Sequence, residues 1–182
     1  AYNYAAPHES IPALVKIYEK INGLAISNWR TVKLSEIKTI IAQCAGLYVE
    51  AASDNYYLTA GQDIEISCEF TNRSPIDISV SKVSFVGIQK DSTLNLTLVN
   101  GEENKFYLKS SIPKNAKTSG PYWLAEKGTV GMYKVKDQIN IGKPTSEDPI
   151  IMIYDLKIEG VTIKYQKPVI YMSVDAVMGE EY

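Results

Sequence analysis

Residues 62–72, QDIEISCEFTN, constrain the fold more than any other stretch. Ile64, Ile66, Cys68 and Phe70 fall on one side of an extended backbone, and Asp63, Glu65, Ser67, Glu69 and Thr71 fall on the other. A half-buried antiparallel strand requires this alternation, so the first row is expected in a core and the second near solvent. Ala60-Gly61 before the stretch and Asn72-Arg-Ser-Pro75 after it supply turns.

The N-terminal quarter reads differently. Ile11, Leu14, Val15, Tyr18 and Ile21 recur at three- and four-residue steps, with Ser10 placed to cap the start, Pro12 in the first turn and Gly23 at the end. A second helix is expected over 33–44, with Leu34, Ile37, Ile40, Ile41 and Cys44 on one face and Gly46 as its C-terminal cap. Between the two helices, Trp29 is expected to be packed. After Gly46 the helical period gives way to alternation, and LYVEAA is the first strand.

Beyond residue 72, Ile76, Ile78 and Val80 lie on even positions and Val83 and Phe85 on odd ones. The slip around Ser81-Lys82 predicts a bulge or a bend. Leu94, Leu96 and Leu98, the Asn100-Gly101 turn signal, and Phe106 with Leu108 predict a hairpin. Residues 150–158 form an apolar strand that Glu159-Gly160 turns into Val161, Ile163 and Tyr165, and residues 168–174 read as a final strand. Seven to nine short strands with helices only at the beginning predict a mainly β fold: an immunoglobulin-like antiparallel β-sandwich over residues 47–182 behind a helical segment over 1–46.

Several function classes find little support. Nineteen basic and twenty-one acidic residues leave a net charge of -2, which gives no polycationic surface for nucleic acid. No apolar run has the length of a membrane-spanning helix. The chain opens AYNYAAPHES, which reads as a piece of something longer. Cys44 and Cys68 are expected as two buried thiols rather than a disulfide. His8 is the only histidine, too few for a catalytic zinc site or a triad, and it is expected on the surface. The acidic pairs Glu102-Glu103, Glu147-Asp148 and Glu180-Glu181 fall in turns or the tail, where adjacent carboxylates diverge. No catalytic, cofactor-binding or metal-ligating residue is nominated, and no cofactor is expected. Asn72-Arg-Ser74 and Asn95-Leu-Thr97 fit the short glycosylation pattern.

The one functional signal is aromatic. Among thirteen tyrosines, Tyr56-Tyr57 mark one loop, and residues 119–142 gather Tyr122, Trp123 and Tyr133 among four glycines. Either Trp123 plugs one end of the sandwich while the tyrosines line strand edges, or the exposed rings offer flat apolar area with a polar tip to a sugar or another domain. Tyr122, Trp123 and Tyr133 are the candidate ligand or interdomain contacts.

Leu34-Ser-Glu-Ile-Lys38, Cys44-Ala-Gly-Leu47, Thr93-Leu-Asn-Leu96, Pro121-Tyr-Trp-Leu124, Gly131-Met-Tyr133 and Ile141-Gly-Lys-Pro144 carry a resemblance. The chain, over about residues 11–179, resembles the non-catalytic β-sandwich region of large Bacteroidetes proteins of the PIG-L/LmbE-type N-acetylglucosamine deacetylase family. The resemblance implies an accessory domain of an exported protein, whose partner is the parent's catalytic domain and, in an alternative reading, a glycan. That family's catalytic zinc motif, Ala-His-Pro-Asp-Asp, is missing here, so no residue role is carried over. Docking predicts an exposed apolar patch on the helices or beside Trp123, whereas glycan binding predicts a cleft with coplanar exposed rings.

Overall fold

A computed structural model describes residues 2–88, 90–116, 118–175, 177 and 179–181. A 3-10 turn, Pro7–Ser10, holds His8 half-buried and leads into helix α1, Ile11–Asn22. Pro12 sits in the first turn, and Ile11, Val15 and Tyr18 are buried. Ser10 makes no side-chain capping bond, and Gly23 stays right-handed, so sequence punctuation here marked the ends without supplying the cap chemistry.

Helix α2, Asn28–Cys44, begins five residues earlier than the periodicity predicts, because the Ser27 hydroxyl accepts from the Arg30 amide and nucleates the first turn. Arg30 then reaches back to the end of α1, donating to the Asn22 carbonyl at 2.7 Å and its side-chain oxygen at 2.9 Å. The expectation that Trp29 is packed is corrected: it is 74% exposed in that early turn, with the Lys33 ammonium 5.9 Å from its ring centre. Ile40 is likewise exposed, while Ile37, Ile41 and Cys44 are buried. Gly46, at φ +55, closes α2 as predicted, with the Leu47 amide bonded to the Ala42 carbonyl.

Two four-stranded sheets follow. In the first, β1 (Tyr48–Ser53) pairs antiparallel with β2 (Asp63–Thr71), and β2 pairs with β5 (Glu103–Ser111). In the second, β3 (Ile78–Val86) lies between β4 (Lys90–Leu98) and β6 (Ile151–Ile158), and β6 pairs with β7 (Val161–Pro168). Ile64, Ile66, Cys68 and Phe70 are all buried, as the alternation requires. They join one core with residues of β3, β6 and both helices. The two cysteines are free and buried, and burial pushes the Cys68 thiol up to about 12.

The slip at Ser81 is a bulge: both ladders of β3 shift register between Val80 and Lys82, and the Ser81 hydroxyl donates to the Asp155 carbonyl. The expected hairpin at Asn100-Gly101 is corrected. β4 and β5 belong to different sheets, and Gly101, at φ +78, turns the chain across the sandwich instead of back along one sheet. Buried Asn72 fixes that crossing. Its amide donates to the Ile76 and Leu98 carbonyls, its Oδ1 accepts from the Ser74 amide and hydroxyl, and its carbonyl receives the Gly101 amide at 2.7 Å. With these bonds made, Asn72 is closed to glycosylation in the folded protein, whereas Asn95 is exposed.

The predicted last strand over 168–174 is also corrected. Pro168 lacks a ladder N–H, and beyond it the chain steps across to β8 (Ile170–Tyr171), which runs parallel to β1. β9 (Ser173–Asp175) then pairs with β10 (Gly179–Glu181). The sheet orders are β5-β2-β1-β8 and β4-β3-β6-β7. Among the described residues, no helix is long and apolar enough to cross a membrane.

Candidate functional site in the aromatic loop

The connection from β5 to β6 carries the three nominated aromatics. Its two ends are fixed by buried Ile112, whose amide donates to the Gln62 carbonyl, and buried Ile150. Its neck is closed by polar bonds. The Tyr122 amide donates to the Ser146 hydroxyl at 2.9 Å, that hydroxyl donates to the Gly120 carbonyl, and the Tyr122 phenol donates to the Lys143 carbonyl. The Lys143 ammonium ties Asn140 and Glu147 to the same point. Tyr122 is therefore a half-buried strut of the loop, with its hydroxyl committed.

Trp123 follows in the 3-10 turn Tyr122–Leu124. Its ring meets Tyr122 edge to face, at 4.9 Å and 88°. Two perpendicular neighbours cannot offer one flat platform. Trp123 is half-buried within the loop and is not part of the hydrophobic core of the described residues, so it does not plug the sandwich.

A tight reversal brings Tyr133 back beside it. Thr129 and Met132 exchange backbone bonds at 3.0 and 3.3 Å around Gly131 at φ +83. A Cβ at Gly128 would stand 2.5 Å from the Met132 carbonyl oxygen, so that approach needs glycine. Trp123, Leu124, Glu126, Met132 and Tyr133 then line a pocket of about 410 Å³. Tyr133 is 70% exposed, and Leu124, Val130, Met132, Ile139 and Ile141 also face solvent. Among the described residues, Glu126 is the one carboxylate in the lining, and it pairs with Lys134 at 3.4 Å. An aromatic wall with one ion-paired carboxylate can hold and orient a partner.

Of the three nominated residues, the fold brings Trp123 and Tyr133 into one pocket and assigns Tyr122 to the neck. Sequence reading missed Glu126, Leu124 and Met132, whose approach depends on the reversal at 128–132; the glycines there were the available signal. Tyr56 and Tyr57 sit in the β1–β2 loop, where Tyr56 also meets Tyr171 at 5.4 Å. Near that end of the sandwich, Asp54, Asp63 and Glu65 line a cleft of about 770 Å³ with Lys90 and Lys109. No group of three or more His, Cys, Asp or Glu among the described residues is arranged to hold a metal ion. The side chains of Glu180 and Glu181 lie outside those described.

No family model matches the sequence, and no curated protein matches it. Among solved structures, the chain is similar to the sporulation control protein Spo0M of Bacillus subtilis, with TM-score 0.32 and 12% identity over 69% of this chain and 49% of that one. It is also similar to the alkylpurine DNA glycosylase AlkC of Pseudomonas fluorescens bound to DNA containing an abasic site analog. There the TM-score is 0.33 and the identity 10%, over 85% of this chain and 42% of that one. The chain thus spans less than half the length of either, and likeness at this level carries no inference about activity.

Proposed function

We propose that the chain is a non-catalytic interaction module of a larger polypeptide, and that its aromatic loop docks on the catalytic domain of a PIG-L/LmbE-type deacetylase, as the resemblance implies. One observation carries the reading. Six large apolar side chains, Leu124, Val130, Met132, Tyr133, Ile139 and Ile141, stand exposed on a segment that its own hydrogen bonds hold folded. Exposed apolar surface of this kind is stabilised when a partner covers it. The β5-β2-β1 row and the β4-β3-β6-β7 row support an immunoglobulin-like description of the sandwich. Export to the periplasm or cell surface follows from the same resemblance. The test is calorimetric titration of the chain with the parent's separately produced catalytic domain. Binding is expected to be lost in Ile139→Asp/Ile141→Asp, which leaves the isolated fold intact. A parent chain that does not bind sinks the proposal.

A second reading, a carbohydrate-binding module, is favoured by the Trp123–Tyr133 pocket with its Glu126 rim. In a Trp29→Phe background, Trp123 emission should respond to N-acetylglucosamine oligosaccharides. Indifference to them removes this reading.

A further inference from the structure

A third cavity lies between α2 and the second sheet, away from the aromatic loop. It measures about 790 Å³, within the range of small-molecule sites. Leu34 and Ala42 of α2, with Val49, Ile153, Tyr154 and Tyr165 of the strands, supply an apolar floor. The lining residues Thr31 and Gln43 are twelve positions apart on the helix, so the groove follows α2 for about 18 Å. The walls are fixed to each other, because the Tyr165 phenol donates to the Lys38 carbonyl at 3.2 Å and the Tyr165 ring stacks on Tyr154.

Among the described residues, the four charged ones in the lining are all cations: Lys38, Arg73, Lys164 and Lys167. Burial first, and the Lys164 charge second, hold the half-buried Lys38 ammonium below its ordinary value. Two ammonium groups therefore repel across the groove. Among the described residues, neither Lys38 nor Lys164 forms an ion pair, although Asp155 stands opposite Lys164 in the β6–β7 register. Arg73 lies over the Tyr48 ring at the far end and also acts on Glu69, so its charge is partly offset.

We propose that this groove binds a small amphipathic anion. Its apolar or aromatic body lies along α2, and its acidic group, a carboxylate, sulfonate or phosphate, rests between Lys38 and Lys164. Such a ligand covers the apolar floor and relieves the repulsion between the two cations, which neither an uncharged molecule nor a bare anion does.

The test uses the full chain and three probes followed by amide NMR: 8-anilinonaphthalene-1-sulfonate, the uncharged N-phenyl-1-naphthylamine, and inorganic phosphate. The sulfonate is expected to saturate one site, shifting the amides of Ser35, Lys38, Thr39 and residues 164–166, and to bind at least about tenfold more tightly than the other two. Lys38→Gln/Lys164→Gln should weaken it about tenfold with unchanged circular dichroism. Ser35→Glu, which sets a carboxylate on an exposed position one turn before Lys38, should do the same without removing a cation. Three outcomes overturn the proposal: shifts confined to Leu24, Ile26 and Trp29 or to the aromatic loop; variants that bind as tightly as the parent; or phosphate that binds as well as the sulfonate.

Discussion

Asn72 shows how much one side chain can hold. It is 1% exposed, and its amide group satisfies four polar atoms from Ser74, Ile76 and Leu98. Asn72→Ala would strand those partners away from water, so a loss of about 3 kcal/mol is expected, read as a lower urea midpoint at unchanged slope. Glu69 makes the opposite case. It faces Glu50 directly across β1 and β2, and burial, then Glu103 and Glu50, raise its carboxyl above the ordinary 4.5 against the pull of Lys105 and Arg73. A value raised by folding means that the fold favours the protonated form. That benefit is complete below the unfolded value and is lost as pH rises through the folded one. Glu69→Gln should therefore be more stable than the parent at neutral pH, and the two unfolding curves should converge near about pH 3.5. A gap that widens in acid would contradict this.

At the scale of elements, Gly87 and Gly101 separate two kinds of glycine requirement. Gly87 has φ +97, and a Cβ there would meet the Pro149 carbonyl oxygen at 2.3 Å; Gly101 has φ +78 and open space. Gly101→Ala is expected to cost about 1 kcal/mol of backbone strain, and Gly87→Ala distinctly more because rigid backbone must also move. Thermal unfolding of the pair tests the order. The strands were legible in the sequence because alternation reports burial directly, and the Ser81 bulge was legible as a break in it. What alternation cannot report is which sheet a strand joins. Asn100-Gly101 has the chemistry of a hairpin turn, yet the buried Asn72 side chain, distant in sequence, directs the chain across the sandwich. Helical periodicity likewise found the buried stripe of α2 but not its first turn, which is set by a cap at Ser27 rather than by apolar spacing. The aromatic loop was visible as composition. Its pocket was not, since the approach of Tyr133 to Trp123 is made by backbone reversal, and the Lys38–Lys164 groove joins residues that no local pattern connects.

For the molecule as a whole, the helices and both sheets contribute to a single core. One unfolding transition is therefore expected: the amide signals of α2 and those of β2, followed by NMR, should share one urea midpoint. An earlier loss of the α2 signals would show helices that unfold independently of the sheets. The pairing of β8 with β1 has a mechanical consequence. A pull applied through the two ends of the chain loads these parallel strands in shear, so their hydrogen bonds share the force instead of opening one after another. Only two residue pairs, Ala52 with Ile170 and Ser53 with Tyr171, form that junction. Tension would extend the elements outside that junction first, α1 and α2 before β1 and the β9–β10 pair after β8, and would then meet a clasp two residues long, beyond which β1 peels from β2.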